Sequence, residues 1–147
     1  MNDTPGPRKG QGAAAPSPSP TDPDRPAGGL EILVVEDNPD ILRYLVLLLE
    51  QAGHRARAAA TLAQALDAAS RGPVDVLVSD IGLPDGSGLD LLRHLRDDRP
   101  SLPAVAISGF GSDDDVRHSL DAGFSAHLTK PLDFRRLSAA IRNALTE

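Results

Sequence analysis

The sequence predicts an α/β fold, in which helices cover both faces of an open, doubly wound parallel sheet of five strands. From Leu30 onward, short apolar runs alternate with longer segments whose apolar residues recur at helical spacing, a pattern typical of parallel α/β sheets. The three clearest runs are continuous enough for strands buried on both faces: EILVV at 31–35, VDVLVS at 74–79 and PAVAIS at 103–108.

The other elements are predicted from weaker strand patterns and from helix start and stop signals. Two further strand candidates are HRARAA at 54–59 and SAHLT at 125–129. Helices are predicted at 39–52, 61–71, 88–98, 113–122 and 134–145. Five residues are suited to mark helix ends: Thr61, Ser112 and Asp133 as N-caps, and Gly53 and Gly123 as C-terminal stops. The predicted strands and helices together make five β–α units with five helices.

The first 29 residues differ in composition from the rest of the chain. They hold seven of the 13 prolines, interleaved with Gly, Ser and Ala, and offer almost no large apolar side chain for a core. We therefore predict a disordered tail at 1–29 and one domain at 30–147. Basic and acidic residues balance in the tail, so the net charge of −6 belongs to the domain, which should repel nucleic acid.

Composition also limits the compartment and the class of protein. The chain has no cysteine, which excludes disulfides and thiolate metal sites and is compatible with a reducing compartment. It lacks the apolar core of a signal peptide, and the run YLVLLLE is far shorter than the roughly 20 residues that span a bilayer. We expect a soluble, cytoplasmic protein without a membrane segment.

Polar side chains follow the predicted strands at the point where each strand ends. Glu36 and Asp37 follow the first strand, Asp80 the third and Ser108 the fourth, while the fifth leads into Lys130. In an open parallel sheet the carboxyl ends of the strands form the ligand crevice. These side chains are therefore the candidate functional residues.

Three carboxylates at this edge favour a bound divalent cation. Two unit charges about 4 Å apart repel by about 4 kcal/mol at an effective dielectric constant near 20, and neighbouring carboxylates disfavour one another's ionisation. A cation removes this conflict, and oxygen ligands without nearby His or Cys favour Mg²⁺ over zinc. The pair Glu36 and Asp37 therefore looks like half of a magnesium site completed by Asp80.

Four segments together resemble the receiver domain of two-component response regulators, in the manner of the chemotaxis response regulator. They are VVEDNPD, VLVSDIGLPDGSGLDLL, AVAISGFG and AGFSAHLTKPLD, and the resemblance covers about residues 30–147. It implies a flavodoxin-like sheet in strand order 2-1-3-4-5. It also implies a phosphoprotein of a phosphorelay that carries 4-aspartylphosphate and performs only its own phosphorylation and dephosphorylation.

The resemblance also assigns roles around the phosphate and the metal. Asp80 would be the phosphoacceptor, and Asp37 and Asp80 would bind Mg²⁺ directly. Glu36 would act through a water molecule, and the backbone carbonyl of Gly82 would complete the protein's share of the metal ligands.

Further roles fall on the fourth and fifth strands. Ser108 and Lys130 would contact the phosphoryl group, and the peptide bond between Lys130 and Pro131 would be cis. His127 occupies the place of an aromatic switch residue in many receivers, so Ser108 and His127 form the expected switch. The alternative for His127 is a partly exposed strand histidine without a signalling role.

The expected partners are proteins that exchange phosphate or read the switched surface. A histidine kinase or a histidine phosphotransfer protein would supply the phosphoryl group. A downstream protein target would bind the face formed by 112–145, since no DNA-binding or enzymatic module follows in this sequence. A free-standing regulator and a receiver from a hybrid kinase system both fit.

Other functional classes fit the motifs less well. A pseudo-receiver that binds partners without phosphorylation is the main alternative. A magnesium-dependent aspartyl-phosphate phosphatase would need an acid two residues after its nucleophile, where this chain has DIG, and a serine hydrolase would need a G-x-S-x-G elbow, which AISGF lacks. GFGSDD lacks the third glycine of a dinucleotide-binding loop.

Overall fold

The computed structural model describes residues 29–109 and 111–146, so residues 1–28 of the predicted tail at 1–29 lie outside the described residues. The strands are β1 Glu31–Val35, β2 Arg55–Ala59, β3 Val76–Asp80, β4 Gly82–Leu83, β5 Gly86–Ser87, β6 Ala104–Ser108 and β7 Ala126–Thr129. The helices are α1 Pro39–Gln51, α2 Leu62–Ser70, α3 Gly88–Asp98, α4 Asp113–Asp121 and α5 Phe134–Leu145. None of the described helices is long and apolar enough to cross a membrane.

Five of the strands form one parallel sheet in the order β2-β1-β3-β6-β7. Counted along the chain without the short hairpin β4–β5, this is the order 2-1-3-4-5. The predicted flavodoxin-like, doubly wound fold with five helices is therefore confirmed. The order reverses between β1 and β3, and this is where an open parallel sheet forms its ligand crevice.

The core consists of two apolar layers, one on each face of the sheet. In β1, Leu33 and Val35 face the layer that contains the buried side of α3, whereas Ile32 and Val34 face the layer that contains α1 and α5. This alternation follows from the two-residue side-chain period of a strand. Because both faces are covered, every described residue of β3 and β6 is buried.

The predicted helix caps are confirmed. The side chains of Thr61, Ser112 and Asp133 accept hydrogen bonds from backbone N–H groups in the first turns of α2, α4 and α5. Gly53 and Gly123 lie just beyond α1 and α4 with φ angles of 97° and 110°, where a side chain would be strained.

The hairpin β4–β5 was not predicted, because two-residue strands are too short to show a periodic pattern. It joins β3 to α3, and Ser87 at its end caps α3. Asp85 in its turn accepts hydrogen bonds from the backbone N–H groups of Leu62 and Ala63, at 2.7 and 3.0 Å. These bonds hold the pKa of the Asp85 carboxyl below its ordinary value and attach the hairpin to the start of α2.

Candidate functional site

Three acidic side chains converge at the carboxyl edge of the sheet. Glu36 follows β1, Asp80 is the last residue of β3, and Asp37 lies beside Glu36 at the entry to α1. One carboxylate oxygen from each lies within 4.8 Å of the other two. Glu36 is fully buried and Asp80 is 6% exposed, whereas Asp37 is open to solvent.

This donor set fits a hard divalent cation. It offers only carboxylate oxygens, and its exposed side leaves room for the water ligands that Mg²⁺ retains. The buried Oε1 of Glu36 lacks an aligned hydrogen-bond donor among the described atoms, so it can accept from a water molecule on the metal. The acidic trio could therefore hold a metal ion.

Lys130 brings a positive charge to the same site. Its Nζ lies 2.7 Å from Oε1 of Glu36 and 2.9 Å from Oδ2 of Asp80, where it donates a hydrogen bond to Asp80. The contact with Glu36 is an ion pair of short distance and poor hydrogen-bond direction. The ammonium thus bridges the ends of β1 and β3 from its position after β7.

Burial and pairing set the protonation of these groups. Burial raises the pKa of the Glu36 carboxyl above its ordinary value, against the opposing effects of Lys130 and of the Asn38 backbone N–H, which donates at 2.9 Å. Desolvation alone would lower the pKa of Lys130, but its close contacts with the Glu36 and Asp80 carboxylates outweigh that effect and raise it. Lys130 therefore stays charged at neutral pH.

The backbone around Asp80 is held by close packing that the sequence analysis missed. A Cβ on Gly88 would lie 2.2 Å from the carbonyl oxygen of Asp80, so only glycine allows α3 to start this close to β3. The Ser79 hydroxyl donates to the same carbonyl at 2.8 Å. The only signal in the sequence was a glycine at the start of a predicted helix.

Gly82 and the cis peptide lie at the rim of this site. The Gly82 backbone N–H donates to Oδ1 of Asp80 at 3.3 Å, and apart from its chain neighbours no atom of the described residues lies within 4 Å of where its Cβ would be. The peptide bond between Lys130 and Pro131 is cis. The Lys130 backbone N–H donates to the carbonyl oxygen of Ser108 at 2.8 Å, which joins the ends of β6 and β7.

Ser108 and His127 lie together on neighbouring strands. Ser108 is buried at the end of β6, and its Oγ is 3.3 Å from Nε2 of the partly buried His127 on β7. The other ring nitrogen of His127, Nδ1, is 2.8 Å from Oγ of Ser119 on α4. Ser119 was not predicted from the sequence, because a serine within a helix carries no local signal of a partner on a strand.

Comparison with known sequences identifies the family. The profile described as response regulator receiver domain matches residues 32–142. This chain belongs to the response regulator receiver family. The domain is 37% identical over 113 residues to the response regulator protein PilR of Pseudomonas aeruginosa, covering 77% of this chain and 25% of PilR. It is 39% identical over 115 residues to the KDP operon transcriptional regulatory protein KdpE of Escherichia coli, covering 78% of this chain and 50% of KdpE.

The solved structures agree with this assignment. A crystal structure of a response regulator receiver domain protein from Clostridium thermocellum matches with a TM-score of 0.73 at 29% identity, covering 80% of this chain and 94% of that chain. This chain spans a quarter of PilR and half of KdpE. The shared region is the receiver domain, a signalling domain.

Proposed function

We propose that this receiver domain accepts a phosphoryl group on Asp80 from the phosphohistidine of a histidine kinase or a histidine phosphotransfer protein. The observation that carries the proposal is the convergence of the Asp80 carboxylate with two further acids and the Lys130 ammonium at one sheet edge. Membership of the receiver family supports it. The proposed role is to change the surface that a downstream partner binds.

In the proposed reaction, a carboxylate oxygen of Asp80 forms a bond to phosphorus while the N–P bond of the donor breaks. The electron pair of that bond returns to the imidazole nitrogen of the donor, and Asp80 becomes an acyl phosphate. The transferred group carries negative charge spread over three oxygens, so catalysis depends on positioning and positive charge. Lys130, already 2.9 Å from Asp80, is the protein's own cation for those oxygens.

We propose Mg²⁺ as the cofactor of this site. Asp37, Asp80 and the Gly82 carbonyl would hold the ion, and Glu36 would bind one of its waters. When bound, the ion would neutralise phosphoryl charge that Lys130 alone cannot balance.

The remaining side chains act on the product. The Ser108 hydroxyl at the end of β6 would donate a hydrogen bond to a phosphoryl oxygen, and the response would pass to the face formed by 112–145.

We expect the target to be a protein rather than nucleic acid, since the domain carries a net charge of −6. The absence of cysteine is compatible with a reducing compartment and supports a cytoplasmic location.

The test is phosphorylation by acetyl phosphate, followed by intact mass. We expect the chain to gain the mass of one phosphoryl group with Mg²⁺ and none with EDTA. Asp80→Asn should abolish the gain, because an amide cannot attack phosphorus as a carboxylate does, while Asp97→Asn, an exposed control on α3, should keep it. A folded wild-type chain that stays unlabelled with Mg²⁺ would favour the pseudo-receiver, and full labelling of Asp80→Asn would exclude Asp80 as the acceptor.

A further inference from the structure

We propose that Ser119 on α4 is a positioning residue for the phosphoacceptor site. Its hydroxyl fixes the protonated nitrogen of His127, so that His127 and an incoming phosphoryl group compete for the single hydroxyl proton of Ser108. The competition rests on the proposed phosphorylation of Asp80, whereas the arrangement of Ser119 and His127 does not.

A continuous chain of polar contacts runs from Ser108 to the backbone of α4. Oγ of Ser108 is 3.3 Å from Nε2 of His127, and Nδ1 of His127 is 2.8 Å from Oγ of Ser119. The Ser119 hydroxyl in turn donates to the backbone carbonyl of Val116 at 2.8 Å. Ser119 is 1% exposed and His127 is partly buried, so these contacts are largely shielded from water.

We assign the protons from the hydrogen-bonding capacity of these groups. A serine hydroxyl has one proton, and we assign the Ser119 proton to the Val116 carbonyl, which can only accept. Ser119 must then accept from His127, which puts the ring proton on Nδ1. In a neutral imidazole Nε2 is then an acceptor, and the Ser108 hydroxyl donates to it.

With these proton positions, His127 and a phosphoryl group on Asp80 compete for the hydrogen bond that the Ser108 hydroxyl donates. A phosphoryl oxygen can only accept a hydrogen bond. The Ser108 hydroxyl must therefore break its hydrogen bond to Nε2 before it can donate to a phosphoryl group on Asp80. The Ser108–His127 contact, at 3.3 Å, is the longer of the two contacts that His127 makes to serine and the easier to break. Phosphorylation would therefore change the hydrogen bonding of His127 and, through it, of α4.

The packing of α4 makes it sensitive to such a change. Of its nine residues, all of which the structure describes, only Ser119 is buried, so no large apolar side chain of the helix is fully buried. A cavity of about 140 Å³ lies beside the chain of contacts and is also lined by Ile81, Leu89, Asp115 and His118. The cavity gives α4 room to shift, and the bond between Ser119 and His127 ties the helix to β7.

The first test needs no variant. The ¹⁵N shifts of the imidazole nitrogens at neutral pH distinguish a protonated ring nitrogen from an unprotonated acceptor. In the ligand-free wild-type chain we expect Nδ1 of His127 to be protonated and Nε2 to be the acceptor. The opposite tautomer would overturn the proposal, whatever the result of the phosphorylation experiments.

Ser119→Ala should release this preference, so that both tautomers of His127 appear. Ser70→Ala is the matched control, because the Ser70 hydroxyl donates to the carbonyl of Asp67 at 2.6 Å in the same helical arrangement. The control should leave the His127 nitrogens unchanged, and Ser119→Thr, which keeps the hydroxyl, should restore the wild-type tautomer. An unchanged tautomer in folded Ser119→Ala would overturn the proposal.

The second test uses beryllofluoride with Mg²⁺ as the mimic of the acyl phosphate on Asp80. In the wild-type chain we expect the Nε2 shift of His127 and the backbone amide shifts of 113–121 to change. The α4 response is the change in the amide shifts of 113–121 divided by the change in the amide shifts of residues beside Asp80. In Ser119→Ala this ratio should fall about two-fold or more, as expected for the loss of one hydrogen bond. A full α4 response in Ser119→Ala would overturn this inference alone, whereas no response beside Asp80 in the wild-type chain would overturn the proposed function.

Discussion

Replacing Lys130 by methionine removes the cation from two carboxylates while keeping most of the apolar stem. In the wild-type chain Nζ lies 2.7 Å from Glu36 and 2.9 Å from Asp80. The Glu36 side chain is completely shielded from solvent, and the Lys130 side chain is 22% exposed. The substitution therefore leaves a buried negative charge without its counter-ion.

The expected loss of stability follows from these distances. At an effective dielectric constant near 20, each contact corresponds to a Coulomb attraction of about 6 kcal/mol. The desolvation of the ammonium offsets most of this attraction, and breaking such a pair from one side costs about 3 to 5 kcal/mol. Because Lys130 is partly exposed, we expect a loss of about 3 kcal/mol in the free energy of unfolding, measured by urea denaturation at pH 7 with EDTA.

A second substitution tests the cause of this loss. Glu36→Gln in the Lys130→Met background should recover about 1 to 2 kcal/mol, because it removes the unpaired buried charge. Asp37→Asn in the same background is the matched control and should change stability by no more than about 0.5 kcal/mol, since Asp37 is exposed. A loss below about 1 kcal/mol for Lys130→Met, or equal effects of the two second substitutions, would refute the reasoning.

The pH dependence of Lys130→Met provides a further check. Burial already raises the pKa of Glu36 in the folded chain, and removing Lys130 removes two effects that lower it. At pH values between the pKa of Glu36 in the unfolded chain and its raised pKa in the folded chain, the native state binds more protons than the unfolded state. In this range the free energy of unfolding therefore falls as pH rises. Relative to wild type, Lys130→Met should therefore regain stability as pH falls from 7 towards 5, by at most about 1.4 kcal/mol per pH unit.

Three further predictions concern the supports of the site and the tail. Gly88→Ala should lower the free energy of unfolding by about 1 to 3 kcal/mol in urea denaturation and weaken phosphorylation, because its methyl group would lie 2.2 Å from the Asp80 carbonyl oxygen. The control Gly82→Ala, where the space is open, should lower it much less. Asp85→Asn should be less stable than wild type at pH 7, and the difference in stability should disappear as pH falls through the lowered pKa of Asp85. A difference in melting temperature that stays constant down to pH 2 would contradict this. Deletion of residues 1–28, which hold almost no large apolar side chain, should leave the melting temperature and phosphorylation unchanged, and a shift of several degrees would show that they contact the domain.

The order of the elements and the polar residues at the strand ends could be predicted from the amino-acid sequence alone. Apolar runs and helix caps are local properties, so a short window such as EILVV, or the N-cap Thr61 before α2, predicts the element that forms. Parallel strands then bring their carboxyl ends to one edge, because each β–α unit returns the chain in the same direction. For that reason Glu36, Asp80 and Lys130 could be assigned to one site without coordinates.

Which of these side chains contact one another depends on the three-dimensional packing. The distance from Lys130 to both Glu36 and Asp80, the space that Gly88 leaves at the Asp80 carbonyl, and the contact of Ser119 with His127 join different elements. Such contacts depend on the packing of helices against the sheet and on rotamers in a dense interior, where a shift of one methyl group matters. A serine within a helix or a glycine at the start of one looks the same in the sequence whether or not it supports a site, because its partner lies in another element.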